Sequence, residues 1–243
     1  MGKFKAVFFD CDGVVIDSGA DISNSVNATL SHFGMKTLAL NDLISFVGNG
    51  ARNLLLRAIA ASNGKPVPRT GEELAAFQKE PSFDEVKFNQ IMKWYREYYN
   101  SHAVVETKIC SGLEPVLREL KAAGIFLGVV TNKPDIILLN IFSQFKIDDC
   151  FDALIGSDKV KHLKPAADGL VIALEKINKI HGTDIRPEET LMVGDSSTDI
   201  MAGRSFGAKT CGVLDGLGDR EKLLLEKPDY KVQLASEIIS FVK

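Results

Sequence analysis

"KAVFFDCDGVVIDS" (residues 5–18) decides how this chain is read. Its first half, "KAVFF", is apolar almost throughout and predicts a short buried strand ending at an acidic turn. The second half then gathers Asp10, Asp12 and Asp17. Crowded carboxylates repel one another, and each resists burial without a partner. A metal ion, a hydrogen-bonding turn or a catalytic task would each account for them.

The same grammar recurs. "IFLGVV" (125–130) ends in "TNK" and "TLMVG" (190–194) ends in "DSS", while "FDALIG" (151–156) and "KTCGVL" (209–214) are weaker versions. Helical patterns cover 112–123, 134–145, 167–181 and 197–206. This alternation predicts an α/β fold: a Rossmann-like parallel sheet with helices on both faces. Ligands of such sheets bind beyond the carboxyl ends of the strands. Asp10, Thr131 and Asp195 each follow directly on a strand and should therefore meet at one edge.

Between the first strand and the helix near Gly112 the pattern changes. Stretches 20–34, 51–61 and 88–102 carry apolar residues at helical spacing, and 62–85 reads as loop around one short helix. The expected organisation is a core of residues 1–18 and 105–243, with an inserted all-helical cap at 19–104. Gly19 suits a flexing linker between them. The aromatic stripe Trp94, Tyr95, Tyr98 and Tyr99 reads as packing within a cap helix.

A net charge of −3 gives no reason to expect nucleic acid or an anionic membrane surface as partner. No apolar run approaches the ~20 residues of a membrane span. Four scattered cysteines without a CxxC pair suggest neither zinc nor redox chemistry. A cytoplasmic monomer or homodimer acting on a small molecule is the expectation.

Asp10 and Asp12, two apart in one turn, and Asp195 in "GDSSTD" offer oxygen ligands from separate loops, the way Mg²⁺ is usually held. No histidine or cysteine accompanies them. Asp199 follows one helical turn after Asp195. Any one of these aspartates could be a helix cap or turn former; the whole set asks for more. A phosphate would find donors in the Thr131 hydroxyl, the Asn132 amide and the helix opening at Pro134. Lys164 could set a full positive charge against a phosphoryl group in transfer. In "GNGAR" (48–52), Gly48 and Gly50 could offer backbone N–H groups, and Arg52 could pair with a substrate carboxylate.

"DCDGVVIDS", "VVTNKP", "KHLKP" and "MVGDSSTD" resemble, in order, the four motifs of the haloacid dehalogenase superfamily of aspartate-nucleophile phosphatases. The insertion resembles the helical cap of the subfamily whose cap follows the first motif. Within it, "DSGADISNSVNATL" and "FVGNGARNLLLRAI" are similar to phosphoglycolate phosphatases. The resemblance implies a Mg²⁺-dependent phosphomonoesterase acting on 2-phosphoglycolate or a similar small ester. Asp10 would be the nucleophile and form an aspartyl-phosphate, and Asp12 the general acid and base. Mg²⁺ would be held by Asp10, the Asp12 carbonyl and Asp195. Thr131, Asn132 and Lys164 would bind phosphate oxygens, and Asp199 would support the metal or Lys164 from behind.

The chain also departs from the family pattern. Ala166-Ala167 replaces the usual x-Pro after Lys164-Pro165, Val14 replaces a common Thr, and 62–85 enlarges the cap. These leave other substrates open: a sugar phosphate, a β-phosphoglucomutase-like phosphotransfer, pyrophosphate or a nucleotide. A non-catalytic phosphate-sensing module would be expected to lack Asp10, Asp12 or Lys164, and all three are present.

Overall fold

The computed structural model describes residues 4–242. Strand β1 (Ala6–Phe9) leads through β2 (Ile16–Asp17) into five helices: α1 (Gly19–His32), α2 (Leu40–Ile44), α3 (Gly50–Ser62), α4 (Gly71–Gln78) and α5 (Glu85–His102). The chain returns through β3 (Lys108–Ile109) and continues as α6 (Leu113–Ala122), β4 (Phe126–Val130), α7 (Asp135–Phe145) and β5 (Ala153–Ile155). Then follow α8 (Asp168–His181), β6 (Thr190–Gly194), α9 (Ser197–Phe206), β7 (Lys209–Val213), α10 (Arg220–Leu225), β8 (Tyr230–Val232) and α11 (Ile239–Val242).

Six strands form a parallel sheet in the order β5-β4-β1-β6-β7-β8. The α/β class expected from the strand–helix rhythm is therefore observed. β1 lies at the centre and is buried along its whole length. Its side chains alternate between faces, as the pleat requires. Val7 and Phe9 join one apolar cluster with α6 and α7, while Ala6 and Phe8 join another with α8 and α9. Two covered faces explain why the run is apolar rather than alternating. Phe8 packs over Gly128, its register partner in β4, where a side-chain carbon would come within 2.8 Å of the ring.

The helices α1–α5 occupy the interval between β2 and β3, and those two short strands pair antiparallel, with Asp17 opposite Lys108. The buried carboxylate of Asp21, in the first turn of α1, clasps the returning chain. It accepts hydrogen bonds from the N–H groups of Val105 and Thr107 at 2.9 Å, from that of Glu106 at 3.0 Å and from the Thr107 hydroxyl at 2.7 Å. Both linkers are thus tied together by one side chain.

The short helix expected within 62–85 is α4, opened by a capping box between Thr70 and Glu73. The two-residue strands, α2 and β8 carry no periodic pattern long enough to announce themselves, and sequence reading passed over them. No helix among the described residues is long and apolar enough to cross a membrane.

Candidate active site

The turn leaving β1 aims Asp10 beyond the sheet edge, and the turns leaving β4 and β6 bring Thr131 and Asp195 to the same place. Carboxylate oxygens of Asp10, Asp195 and Asp199 all lie within 4.8 Å of one another, and all three residues are buried. The Lys164 ammonium lies 2.8 Å from Asp10 Oδ1 and donates to Asp199 Oδ1 at 2.6 Å. Asp199 is held on its other oxygen by the N–H and hydroxyl of Ser196 at the start of α9. Asp195 accepts from the N–H groups of Leu217 and Gly218 at 2.7 and 3.0 Å.

Close backbone approach makes this cluster possible. Gly13 adopts φ +80°, and a methyl group there would lie 2.1 Å from Asp195 Oδ2 and 2.6 Å from the Leu217 nitrogen. Gly194 likewise admits Asp199, whose Cβ would lie 2.2 Å from an added methyl.

The electrostatics are out of balance in one direction. Three carboxylates share one ammonium, so negative charge is in excess. Burial, opposed by Lys164 and reinforced by Asp199, pushes the Asp10 carboxyl up to about 6. Burial and the carboxylates of Asp10 and Asp199 push Asp195 well above the ordinary carboxylate range. Burial works against the Lys164 ammonium, but Asp10 and Asp199 outweigh it and hold the lysine charged. Asp10 Oδ1 is buried and has the Lys164 ammonium, 2.8 Å away, as its charged partner. A buried, oxygen-only donor set with surplus negative charge fits a hard divalent cation such as Mg²⁺.

The remaining sequence-predicted residues divide. Thr131 is buried at the site, its hydroxyl accepting from the Lys133 N–H at 3.3 Å. The carboxamide of Asn132 bridges the main chain of Lys164, accepting from its N–H at 2.9 Å and donating to its carbonyl at 3.2 Å. Asn132 thus fixes the loop that presents Lys164. Asp12 lies beside Asp10, and its Oδ1 accepts from Ser18 Oγ.

Arg52 is not brought to this group. Its Nη2 donates to Gln78 at 2.6 Å and pairs with Glu85 at 3.0 Å, and its guanidinium lies over the Phe88 ring. The second cation beside Lys164 is Lys133, to which the sequence analysis assigns no role. Its buried ammonium lies 2.8 Å from Asp12 Oδ1 and donates to the Tyr99 hydroxyl at 2.6 Å. The aromatic stripe is therefore more than packing: Tyr99 reaches from α5 to the residue after Asn132. The signal available in sequence was Lys133 itself, third in a strand-end loop whose first two residues were already chosen.

Above the carboxylates lies a cavity of about 50 Å³, room for a few water-sized groups. Asp10, Asp12, Thr131, Asn132 and Lys133 line it from the sheet edge, and Ile22, Gly48, Gly50, Ala51, Leu54, Tyr95 and Tyr99 line it from the inserted segment.

Comparison with known proteins agrees with this geometry. Residues 7–213 match the family model described as haloacid dehalogenase-like hydrolase. A phosphoglycolate phosphatase of Colwellia psychrerythraea is 28% identical over 239 residues, spanning 98% of this chain and 97% of its own. Phosphoglycolate phosphatase 1 of Pseudomonas aeruginosa is 29% identical over 238 residues, spanning 97% and 78%. Among solved structures, a predicted phosphoglycolate phosphatase from Haemophilus somnus superposes with a TM-score of 0.81 at 25% identity, covering 100% of both chains. The motifs, the parallel sheet and the family match over most of the length lead to one conclusion: the chain belongs to the haloacid dehalogenase-like hydrolases.

Proposed function

We propose that this hydrolase is a Mg²⁺-dependent phosphomonoesterase acting on a small phosphorylated acid, 2-phosphoglycolate foremost. The observation that carries the reading is the seat of Asp10. It is a buried carboxylate, braced by the Lys164 ammonium at 2.8 Å and facing two further carboxylates. That is an unfavourable place for an idle side chain and a suitable one for a nucleophile.

Asp10 attacks phosphorus, the ester P–O bond breaks, and the departing oxygen takes a proton from Asp12. Asp12 then accepts a proton from the water that cleaves the aspartyl-phosphate, restoring Asp10. Lys164 and the Thr131 hydroxyl receive the phosphate oxygens, with Asn132 holding the Lys164 loop in register. Mg²⁺, held by Asp10, Asp195 and the Asp12 carbonyl, would supply neutralisation between carboxylate and phosphate. Asp199 fixes Lys164 from behind.

Residues 19–104 act as a cap on a core of 1–18 and 105–243, and closing it excludes water from the reacting groups. The relatives' names favour a short phosphorylated acid over a sugar phosphate or nucleotide. Initial rates of phosphate release with Mg²⁺, across 2-phosphoglycolate, sugar phosphates, nucleotides and pyrophosphate, test the reading. A lead of about tenfold or more in kcat/KM for 2-phosphoglycolate supports it. Equal rates with sugar phosphates would leave the chemistry standing and remove the substrate.

A further inference from the structure

The phosphatase reading leaves the non-reacting end of the substrate without a partner, since Arg52 is engaged with Gln78 and Glu85. We infer that Lys133 is the specificity-determining residue that receives a carboxylate on the leaving group, an assignment that rests on that reading. Several observations combine. The Lys133 ammonium is buried and lines the cavity directly above Asp10 and Asp12. Asp12, Asp199 and Asp195 hold the acidic half of the site, and the Lys164 ammonium is directed at Asp10 and Asp199, on the phosphate side. Among the described residues, Lys133 is the cation that lines the cavity beside its apolar residues.

An ammonium has three donors, and two are directed at Asp12 and Tyr99. The third is available to an incoming acceptor. Asp12 Oδ1 also accepts from Ser18. Lys133 can thus turn toward a ligand without leaving that oxygen unpaired. The remaining lining at that end, Ile22 and Leu54 among it, is apolar, so a carboxylate has one charged partner there. A carboxylate one carbon away from the ester oxygen is short enough to stay within the cavity that Lys133 shares with Asp10 and Asp12.

The experiment compares two esters of nearly equal size, 2-phosphoglycolate and ethyl phosphate, on wild type and Lys133→Gln with Mg²⁺. If Lys133 reads the carboxylate, the wild-type preference for 2-phosphoglycolate collapses by at least about 30-fold in the variant, because only one substrate loses a partner. A lysine that merely braces Asp12 or the cap would lower both rates in step and leave the ratio unchanged, which overturns the assignment. Should the variant fail to fold, wild type decides: glycolate should inhibit at least about tenfold more strongly than ethylene glycol. Equal inhibition overturns the inference. A wild type that hydrolyses both esters equally overturns Lys133 alone, whereas one that releases phosphate from neither overturns the phosphatase reading and this assignment with it.

Discussion

Lys133, three residues beyond the end of β4, donates to the Tyr99 hydroxyl on α5 at 2.6 Å, joining the sheet edge to the inserted helices inside the site. Burial holds the Tyr99 phenol protonated, and the nearby Asp12 keeps Lys133 charged although burial opposes it. Tyr99→Phe removes the acceptor and leaves a buried ammonium one partner short. The expected loss is about 1–2 kcal/mol, read as a fall of roughly 2–8 °C in Tm by scanning calorimetry. An unchanged Tm would mean that the contact contributes nothing to holding the two parts together.

With Asp10 as the proposed ligand, Mg²⁺ binding is expected to depend on pH. Burial, restrained by Lys164 and reinforced by Asp199, lifts its carboxyl from 3.8 to about 6. A raised carboxyl favours the folded metal-free protein while protonated. That contribution is fully present below the ordinary carboxylate range and is lost as pH rises through about 6. Mg²⁺ must displace the same proton in acid. Its affinity by titration calorimetry should therefore weaken by up to about tenfold per pH unit below 6. At pH 7.5, Mg²⁺ at a hundredfold excess over Kd should raise Tm by about 5–10 °C. An affinity flat from pH 5 to 7.5 would contradict the assignment of Asp10 as ligand.

Gly13 is the tightest constraint on the acidic loop. At φ +80°, and with a methyl 2.1 Å from Asp195, Gly13→Ala must push Asp195 aside or distort the turn carrying Asp12. A displacement of this order costs about 100-fold in turnover, and the backbone strain adds about 1–2 kcal/mol. Steady-state rates and thermal melts of the purified variant measure both.

Asp21 bears on the linkers rather than the chemistry. Burial works against its charge, but the Thr107 hydroxyl and the N–H groups of Thr107, Val105 and Glu106 hold its carboxyl below the ordinary range. Such a group stabilises the fold above its unfolded pKa and stops doing so as pH falls through the lowered folded value. Asp21→Ala should cost about 2–3 kcal/mol near neutrality, with the difference from wild type shrinking in strong acid. Urea titrations at several pH values give that comparison.

What could be read from residues alone followed physical signals of different range. Asp10, Thr131 and Asp195 were legible because each ends an apolar run, and a parallel sheet sends all such ends to one edge. Lys164 was legible by its place in the third of four ordered motifs. Lys133 and Tyr99 were not, because their meeting depends on how α5 lies over the sheet edge, across 34 positions of sequence. Arg52 was misleading for a related reason. It stands in the first turn of α3, beside Gly50 and Ala51 that do line the cavity, but one step round the helix aims it at Glu85 and Phe88 of α5. Spacing identifies a helix without stating which neighbour each flank will meet. The paired strands β2 and β3 hold two residues each, too few for any pattern to show.

The central claim, phosphoryl transfer to Asp10, is tested most directly by trapping the intermediate. Asp12→Asn, which slows activation of the attacking water, is mixed with 2-phosphoglycolate and Mg²⁺, quenched in acid and analysed by peptide mass spectrometry. The account predicts one phosphoryl group on the peptide carrying Asp10, absent in Asp10→Asn, which should also release no phosphate. Phosphate release by Asp10→Asn at a rate near wild type, with no phosphorylated peptide in either variant, would contradict it.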